Sequence, residues 1–341
     1  MSENDADVNR KVESERQDVM LLAGDIGGTK TLLGLFEPAA TRPRAVVVRT
    51  FTTLDFSALP EMIETFLHDA SVAPGGVDVA CFGVAGPVIE EVVNVTNVPW
   101  RVDGRQVAAA FHLRRVALLN DLQAMAFAVP VLEGPEVHVL QSGRAIGDGN
   151  IAIIAAGTGL GEALLLNVDG RRVPSPSEGG HADFSARTER EIVLLRDLAR
   201  RYGRADVEHV VSGRGLLNIH RVSHHSPCAA GIDLGDPSAP AAISNAALDR
   251  RCPGCVETLD VFVEAYGAEA GNLALRTVAT GGVFVGGGIA PKILPALTTG
   301  AFMRAFRQKP PLEALVAAMP VSVILNEEAG LLGAAVFAAS A

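Results

Sequence analysis

The sequence predicts an α/β protein, and three observations predict it. Apolar strand-like runs alternate with helical stripes along the whole chain. A strand–glycine turn–strand unit occurs twice, about 130 residues apart. Hydrophobic side chains make up 48% of the 341 residues, enough for the two cores that a prior of ~150 residues per domain suggests.

The elements follow in order. Val19–Gly24 is apolar, Asp25–Thr29 carries turn chemistry and Thr31–Phe36 is apolar again, which reads as a hairpin. Ala45–Thr53 offers a third strand. Ser57 stands where an N-cap belongs, ahead of Leu59, Met62, Ile63, Phe66 and Leu67 on one helical face. Val77–Val84 is a buried strand ending in Ala85-Gly86-Pro87, and Val116–Leu119 is another, ending in Asn120-Asp121 before a helical pattern. The second half opens alike: strand Ile151–Ala155, turn Gly157–Gly161, strand Glu162–Val168. A loop is expected through Ser175–Asp183, then a helix over Glu189–Tyr202. Leu259, Phe262, Val263, Tyr266, Ala270 and Leu273 mark the longest helix, which leads into a strand closed by Gly286–Gly288. A last strand, Val321–Leu325, and a small-residue helix, Glu328–Ala339, complete the pattern.

Charge and composition exclude several classes. Acidic residues outnumber basic ones, 39 to 29, so the basic footprint that nucleic acid requires is missing. No apolar run reaches the roughly 18–20 residues of a membrane span. Residues 1–18 are acidic overall without a hydrophobic stretch, which predicts a disordered tail and no signal peptide. Four cysteines in a chain of this size form no disulfide framework, so a cytoplasmic location is expected. Cys252-Pro-Gly-Cys255 is a single CxxC. His224-His225 and Cys228 lie upstream without finger spacing, so reduced structural thiols and no metal are expected.

Three glycine-rich turns end predicted strands, at Gly27-Gly28-Thr29, Gly157-Thr158-Gly159 and Gly286-Gly287-Gly288. Glycine there lets backbone N–H groups approach a phosphate, although each turn taken alone also reads as a plain tight turn. A P-loop is excluded, because Thr29 stands at its second glycine and Lys30-Thr31 enters a strand rather than a helix. A dinucleotide fingerprint at Gly157–Gly161 is excluded by its spacing and by the strand that follows.

A pair of such hairpins, one per half, resembles the two-domain actin-like ATPase (ribonuclease H-like) fold, in which ATP is clamped in an interdomain cleft. Five further motifs narrow the resemblance. Leu119-Asn120-Asp121, Glu178-Gly179-Gly180-His181 with Asp183-Phe184, Ser212-Gly213-Arg214-Gly215, Gly281–Pro291 and Gly330-Leu331-Leu332-Gly333 occur in the order found in bacterial glucokinases of the hexokinase type. The resemblance covers residues 20–338. It implies a small domain over 19–130 plus 326–341, a large domain over 131–325, closure on sugar binding and a homodimer.

It also implies roles. Asp121 is the expected catalytic base in ATP-dependent phosphorylation of D-glucose, with the helix N-cap as the competing role for the same residue. Asn97, Asn120, Glu178, His181 and Glu208 are placed around the sugar, where carboxylates and amides match its hydroxyls. For Asn97 a turn role competes, and for His181 a structural one. Asp25 is expected to face Mg²⁺-bound phosphates through water. Gly27, Gly28 and Thr29 form the first phosphate turn, Gly157, Thr158 and Gly159 the second, and Gly286, Gly287 and Gly288 pass the adenosine. Lys30 departs from the usual Asn of hexokinase-type glucokinases and either reaches a phosphate or flanks the turn. The Cys-rich zinc motif that repressor/ORF/kinase sugar kinases carry after the Glu-x-x-His loop is missing, since no Cys lies between Cys81 and Cys228. Glucose rests on the resemblance alone; a mannose, fructose or N-acetylhexosamine kinase stays open. A sugar-sensing repressor is disfavoured, because a leading segment of ~18 residues, acidic overall, is too short for a DNA-binding module.

Overall fold

The computed structural model describes residues 20–72, 75–96, 98–224 and 227–340. The expected tail, Asn97 and His225 therefore lie outside the described residues. The chain divides into two compact units, one ending at Leu132 and resuming at Glu328, the other running Glu133–Glu327.

In the first unit, β1 (Met20–Ile26) and β2 (Lys30–Glu37) form the expected hairpin, and β3 (Arg44–Thr52) extends it antiparallel. β4 (Val77–Val84) lies on the other side of β1 and parallel to it. β5 (Val92–Asn94) and β6 (Arg101–Asp103) make a separate short hairpin, and β7 (Arg115–Asn120) pairs in parallel with β4. The sheet order is β3-β2-β1-β4-β7. The two-residue period of a strand sorts β1 into two cores. Leu22 and Ile26 pack with Leu59, Met62, Ile63 and Phe66 of the helix Leu59–Asp69. Leu21 and Ala23 pack with Leu331, Ala334, Ala335 and Ala338 of the helix Ala329–Ala339. Burial on both faces explains why β1 and β4 read as continuous apolar runs.

Two local readings are corrected. The cap of the helix Leu59–Asp69 is Ala58; Ser57 instead sends its N–H and hydroxyl to the Glu61 carboxylate, at 2.9 and 2.6 Å. The cap of the helix Asp121–Ala128 is Asn120, whose side chain accepts from the Leu122 N–H while Gln123 reaches back to the Asn120 N–H. Asp121 is thus the first helical residue and not its cap.

The second unit repeats the plan. β8 (Val137–Gln141), β9 (Ile151–Ala156), β10 (Leu160–Val168), β11 (Arg171–Ser177), β12 (Gly282–Gly286) and β13 (Val321–Ile324) form a sheet of order β11-β10-β9-β12-β13-β8. β9, β10 and β11 are antiparallel like β1, β2 and β3, and β12 and β13 continue in parallel from β9 as β4 and β7 do from β1. The helix Pro253–Thr277 packs Leu259, Phe262, Tyr266, Ala270 and Leu273 into the core, as its periodicity predicts. The fold is the α/β one expected. No helix among the described residues is long and apolar enough to cross a membrane.

The small-residue helix Ala329–Ala339 owes its position to its glycines. A Cβ at Gly333 would overlap the Ala124 carbonyl of the helix Asp121–Ala128. Gly333→Ala is expected to destabilise the protein by about 1–3 kcal/mol through overpacking. Gly147→Ala, where a Cβ meets nothing within 4 Å, should stay within about 0.5 kcal/mol; denaturant unfolding of both variants measures the contrast.

Candidate active site

Parallel strands present their carboxyl ends together, and in the first unit those ends carry the polar residues. Asp25 pairs in register with Gly83, and Gly83 with Leu119, so Asp25 and the Asn120-Asp121 pair end strands of one sheet edge. Asp25 is partly buried. Its carboxyl is pushed up to about 6, first by loss of solvent, then by the charge of Asp121, with Lys30 opposing. Asp121 is therefore close enough for its charge to be felt at Asp25. Gly330 belongs to the same group, since a Cβ there would press on the Asp25 carboxylate.

The first glycine turn is braced from a distance in sequence. Gly27 N–H donates to the Lys30 carbonyl at 3.1 Å, and Thr53 N–H donates to the Thr29 carbonyl at 3.0 Å. The buried Thr53 hydroxyl donates to the Gly27 carbonyl at 2.8 Å and lies 2.9 Å from the Thr31 hydroxyl. Thr29 and Lys30 are exposed at the turn. Asn120 spends its Oδ1 on the cap and donates through Nδ2 to the Gly86 carbonyl at 3.3 Å, while Asp121 Oδ1 accepts from the Leu122 N–H at 2.8 Å.

In the second unit the remaining residues converge. Glu178 opens a short 3-10 turn, Gly179–His181, and both Glu178 and His181 are exposed. Glu208 N–H donates to the Gly180 carbonyl at 2.8 Å, and Glu208 Oε2 accepts from the Leu160 N–H at 2.9 Å. One residue thus ties the Glu178–His181 loop to the Gly157–Gly159 turn. His181 Nδ1 lies 3.4 Å from Asp206. Gly213 N–H donates to the Gly157 carbonyl at 2.8 Å, so the helix Gly213–Ser223 starts against the second turn with its amide end. The third turn joins them: Gly287 has φ +81° and rests on the Ala156 carbonyl, where a side chain would clash.

Three residues of this arrangement were not signalled as site residues by the sequence. Thr53 reads there as the end of a strand. Tyr266 reads as one member of a core stripe, yet its buried hydroxyl accepts from the Ala156 N–H and lies 3.3 and 3.2 Å from the Ile154 and Gly286 carbonyls, under the second and third turns. Glu162 reads as a polar position in a strand, yet it is buried beneath Gly179 with neither oxygen hydrogen-bonded among the described residues. Arg276 approaches it only to 4.0 Å and bonds Glu269 instead, at 2.8 Å.

The glucokinase family model matches residues 22–341. The chain belongs to the glucokinase family. The glucokinase of Nostoc punctiforme is 38% identical over 94% of this chain and 99% of its own length. The crystal structure of a glucokinase from an Antarctic psychrotroph is 30% identical, covers 94% of this chain and 99% of its own, and superposes with a TM-score of 0.83. A glucokinase from Balamuthia mandrillaris, solved in complex with glucose, shares the fold at 21% identity and a TM-score of 0.77, over 95% of this chain and 94% of its own.

Glu162 gives this protein a pH signature. Burial, then the Glu269 charge, pushes its carboxyl from 4.5 up to about 7. The folded protein holds this proton more tightly than the unfolded chain, so the stabilisation is full below about pH 4.5 and is lost as pH rises through 7. Glu162→Gln is therefore expected to gain about 1–3 kcal/mol on the wild type at pH 8 and little at pH 5. Urea unfolding at the two pH values reads the difference.

Proposed function

We infer that this chain transfers the γ-phosphoryl group of ATP to the 6-hydroxyl of D-glucose, with Asp121 as the base. The observation that carries the assignment of Asp121 is its place at the carboxyl end of β7, within charge-coupling range of Asp25 and on the same sheet edge as the first glycine turn. Phosphoryl transfer asks the protein mainly to position the nucleophile and to stabilise charge. Asp121 orients the sugar hydroxyl and accepts its proton as the bond to phosphorus forms. An ordinary carboxylate is a weak base, so positioning contributes more than proton affinity.

The glycine turns at Gly27–Thr29, Gly157–Gly159 and Gly286–Gly288 offer backbone N–H groups to the phosphates and close passage to the nucleotide. Lys30, exposed where β2 begins, is assigned to a phosphate. Glu178, His181 and Glu208, with Asn120 and Asn97, are assigned to the sugar hydroxyls. Glu178 supports this assignment by making no hydrogen bond or ion pair to another described side chain while standing exposed. Mg²⁺ fits the first group. Asp25 offers hard oxygen donors, and its repulsion with Asp121 is what a divalent cation relieves. When bound, Mg²⁺ supplies neutralisation of phosphate charge. Asp25 would hold it. ATP as donor and four cysteines outside any disulfide favour the cytoplasm.

Asp121→Asn keeps the Leu122 N–H bonded, so the variant is expected to fold as the wild type does. Its kcat with glucose and Mg-ATP should fall by roughly 10²–10⁴-fold, measured as ADP release across glucose, mannose, fructose and N-acetylated hexosamines. An undiminished kcat would remove Asp121 from the role of base. Faster turnover of another sugar would move the substrate, and no sugar-dependent turnover by the wild type would sink the kinase reading.

A further inference from the structure

The second unit gathers three of the four cysteines and two histidines, none of them given a role above. Cys228 Sγ lies 3.8 Å from Cys252 Sγ and 3.8 Å from Cys255 Sγ. Cys255 Sγ lies 3.7 Å from His220 Nε2, and Cys252 Sγ lies 3.1 Å from His224 Nε2. The thiols of Cys228, Cys252 and Cys255 fall within 4.8 Å of one another, and so do ligand atoms of His220, His224 and Cys228. No sulfur is paired in a disulfide.

We propose that Cys228, Cys252 and Cys255, completed by one imidazole of the His220/His224 pair, form a structural zinc site. The distances carry it. Two sulfurs each about 2.3 Å from a tetrahedral zinc stand about 3.8 Å apart, and a sulfur–nitrogen edge is about 3.6 Å. The Cys228–Cys252, Cys228–Cys255 and Cys255–His220 separations match those edges. Sulfurs in plain contact also stand about 3.8 Å apart, so it is the gathering of three thiols with two imidazoles, in two triads that share Cys228, that points to a metal.

The local structure supports the assignment. Cys252 is the residue before the helix Pro253–Thr277 and Cys255 lies in its first turn, where thiolate charge faces the amide end of the helix. Between them, Gly254 leaves the space the His224 ring occupies; a Cβ there would collide with the imidazole. His220 is buried, stacks on His224 at 4.6 Å and carries one of the few buried side-chain nitrogens or oxygens without a hydrogen-bond partner among the described residues, Nδ1. Three thiolates and an imidazole select zinc over magnesium or calcium, which prefer oxygen. A cavity of about 210 Å³ lined in part by Ser223, His224, Cys252 and Gly254 borders the cluster and offers an entry path. The zinc joins the end of the helix Gly213–Ser223, the segment at Cys228 and the start of the longest helix. Its role is a cross-link in the unit that carries the second and third glycine turns.

The site departs from the sequence expectation of free structural thiols. It also differs in place from the zinc motif of repressor/ORF/kinase sugar kinases, since its ligands follow the Glu178–His181 loop by about 40 residues or more and occupy other helices.

The test uses the full chain, purified without a histidine tag and dialysed against metal-free buffer. Elemental analysis is expected to find about one zinc per chain. Cys228→Ser and Cys255→Ser should each fall below about a tenth of that, with Cys81→Ser unchanged as the control. His220→Ala and His224→Ala identify the imidazole by which one loses the metal; retention in both would overturn the imidazole part. Because a thiol variant can misfold, the wild type is also assayed alone. Three thiols should react with Ellman's reagent only after a strong chelator is added, with release of zinc. Wild type that holds no zinc and takes up none in competition with a chelating dye would overturn the site, as would a thiol count showing a disulfide. Kinase activity plays no part in these readouts, so their failure leaves the proposed function standing.

Discussion

Two carboxylates at the end of one parallel sheet edge set the terms for the first unit. Asp25 is desolvated and feels the charge of Asp121, an arrangement that costs stability. Much of the surrounding polar structure holds it in place. Asn120 and Gln123 close the helix start so that Asp121 begins a turn of fixed geometry. Thr53 fastens the glycine turn from the far end of β3. Gly330 lets the returning helix bring its amide end against Asp25, and a helix N-terminus favours negative charge there. A cation bound beside the two carboxylates relieves repulsion of this kind, as Lys30 does in part at Asp25.

The second unit holds backbone rather than charge. Its glycine turns carry few side chains of their own to fix them, so polar groups reach in from elsewhere. Glu208 takes the Leu160 N–H, Tyr266 bridges β9 and β12 beneath two turns, and the helix Gly213–Ser223 meets Gly157. Glu208 orders the second turn through one carboxylate oxygen and holds the Glu178–His181 loop through its own N–H. Glu162 is the exception, a buried acid with no hydrogen bond, and its place under Gly179 puts that cost directly below the Glu178–His181 loop.

Strands buried on both faces were legible in the sequence because they are continuous apolar runs bounded by glycine. β1, β4, β9 and β12 fall within a residue or two of their expected limits. β11 was read as a loop from Ser175 because Pro174 and Pro176 break the pattern. It is an edge strand, the one position where a sheet tolerates proline. β5, β6 and β8 are short and mixed in polarity, and become strands only through their partners. Most of the expected site residues gather as two groups, one in each unit, because the motifs sit at strand ends.

What the sequence determined by itself was local: the period of each strand and helix, the glycine turns, and the order of motifs that marks the family. Thr53, Tyr266 and Glu162 reach their partners across about 20 to 110 residues, and the cluster at Cys228 joins segments 24 to 35 residues apart. No periodicity encodes such meetings, because a hydroxyl or thiol has the same pattern value wherever its partner lies. Only packing of the helices against the sheets decides which polar atoms face one another. That is why the glycine turns could be named from the sequence, while the groups that brace them, and the thiols drawn around one point, required the tertiary structure.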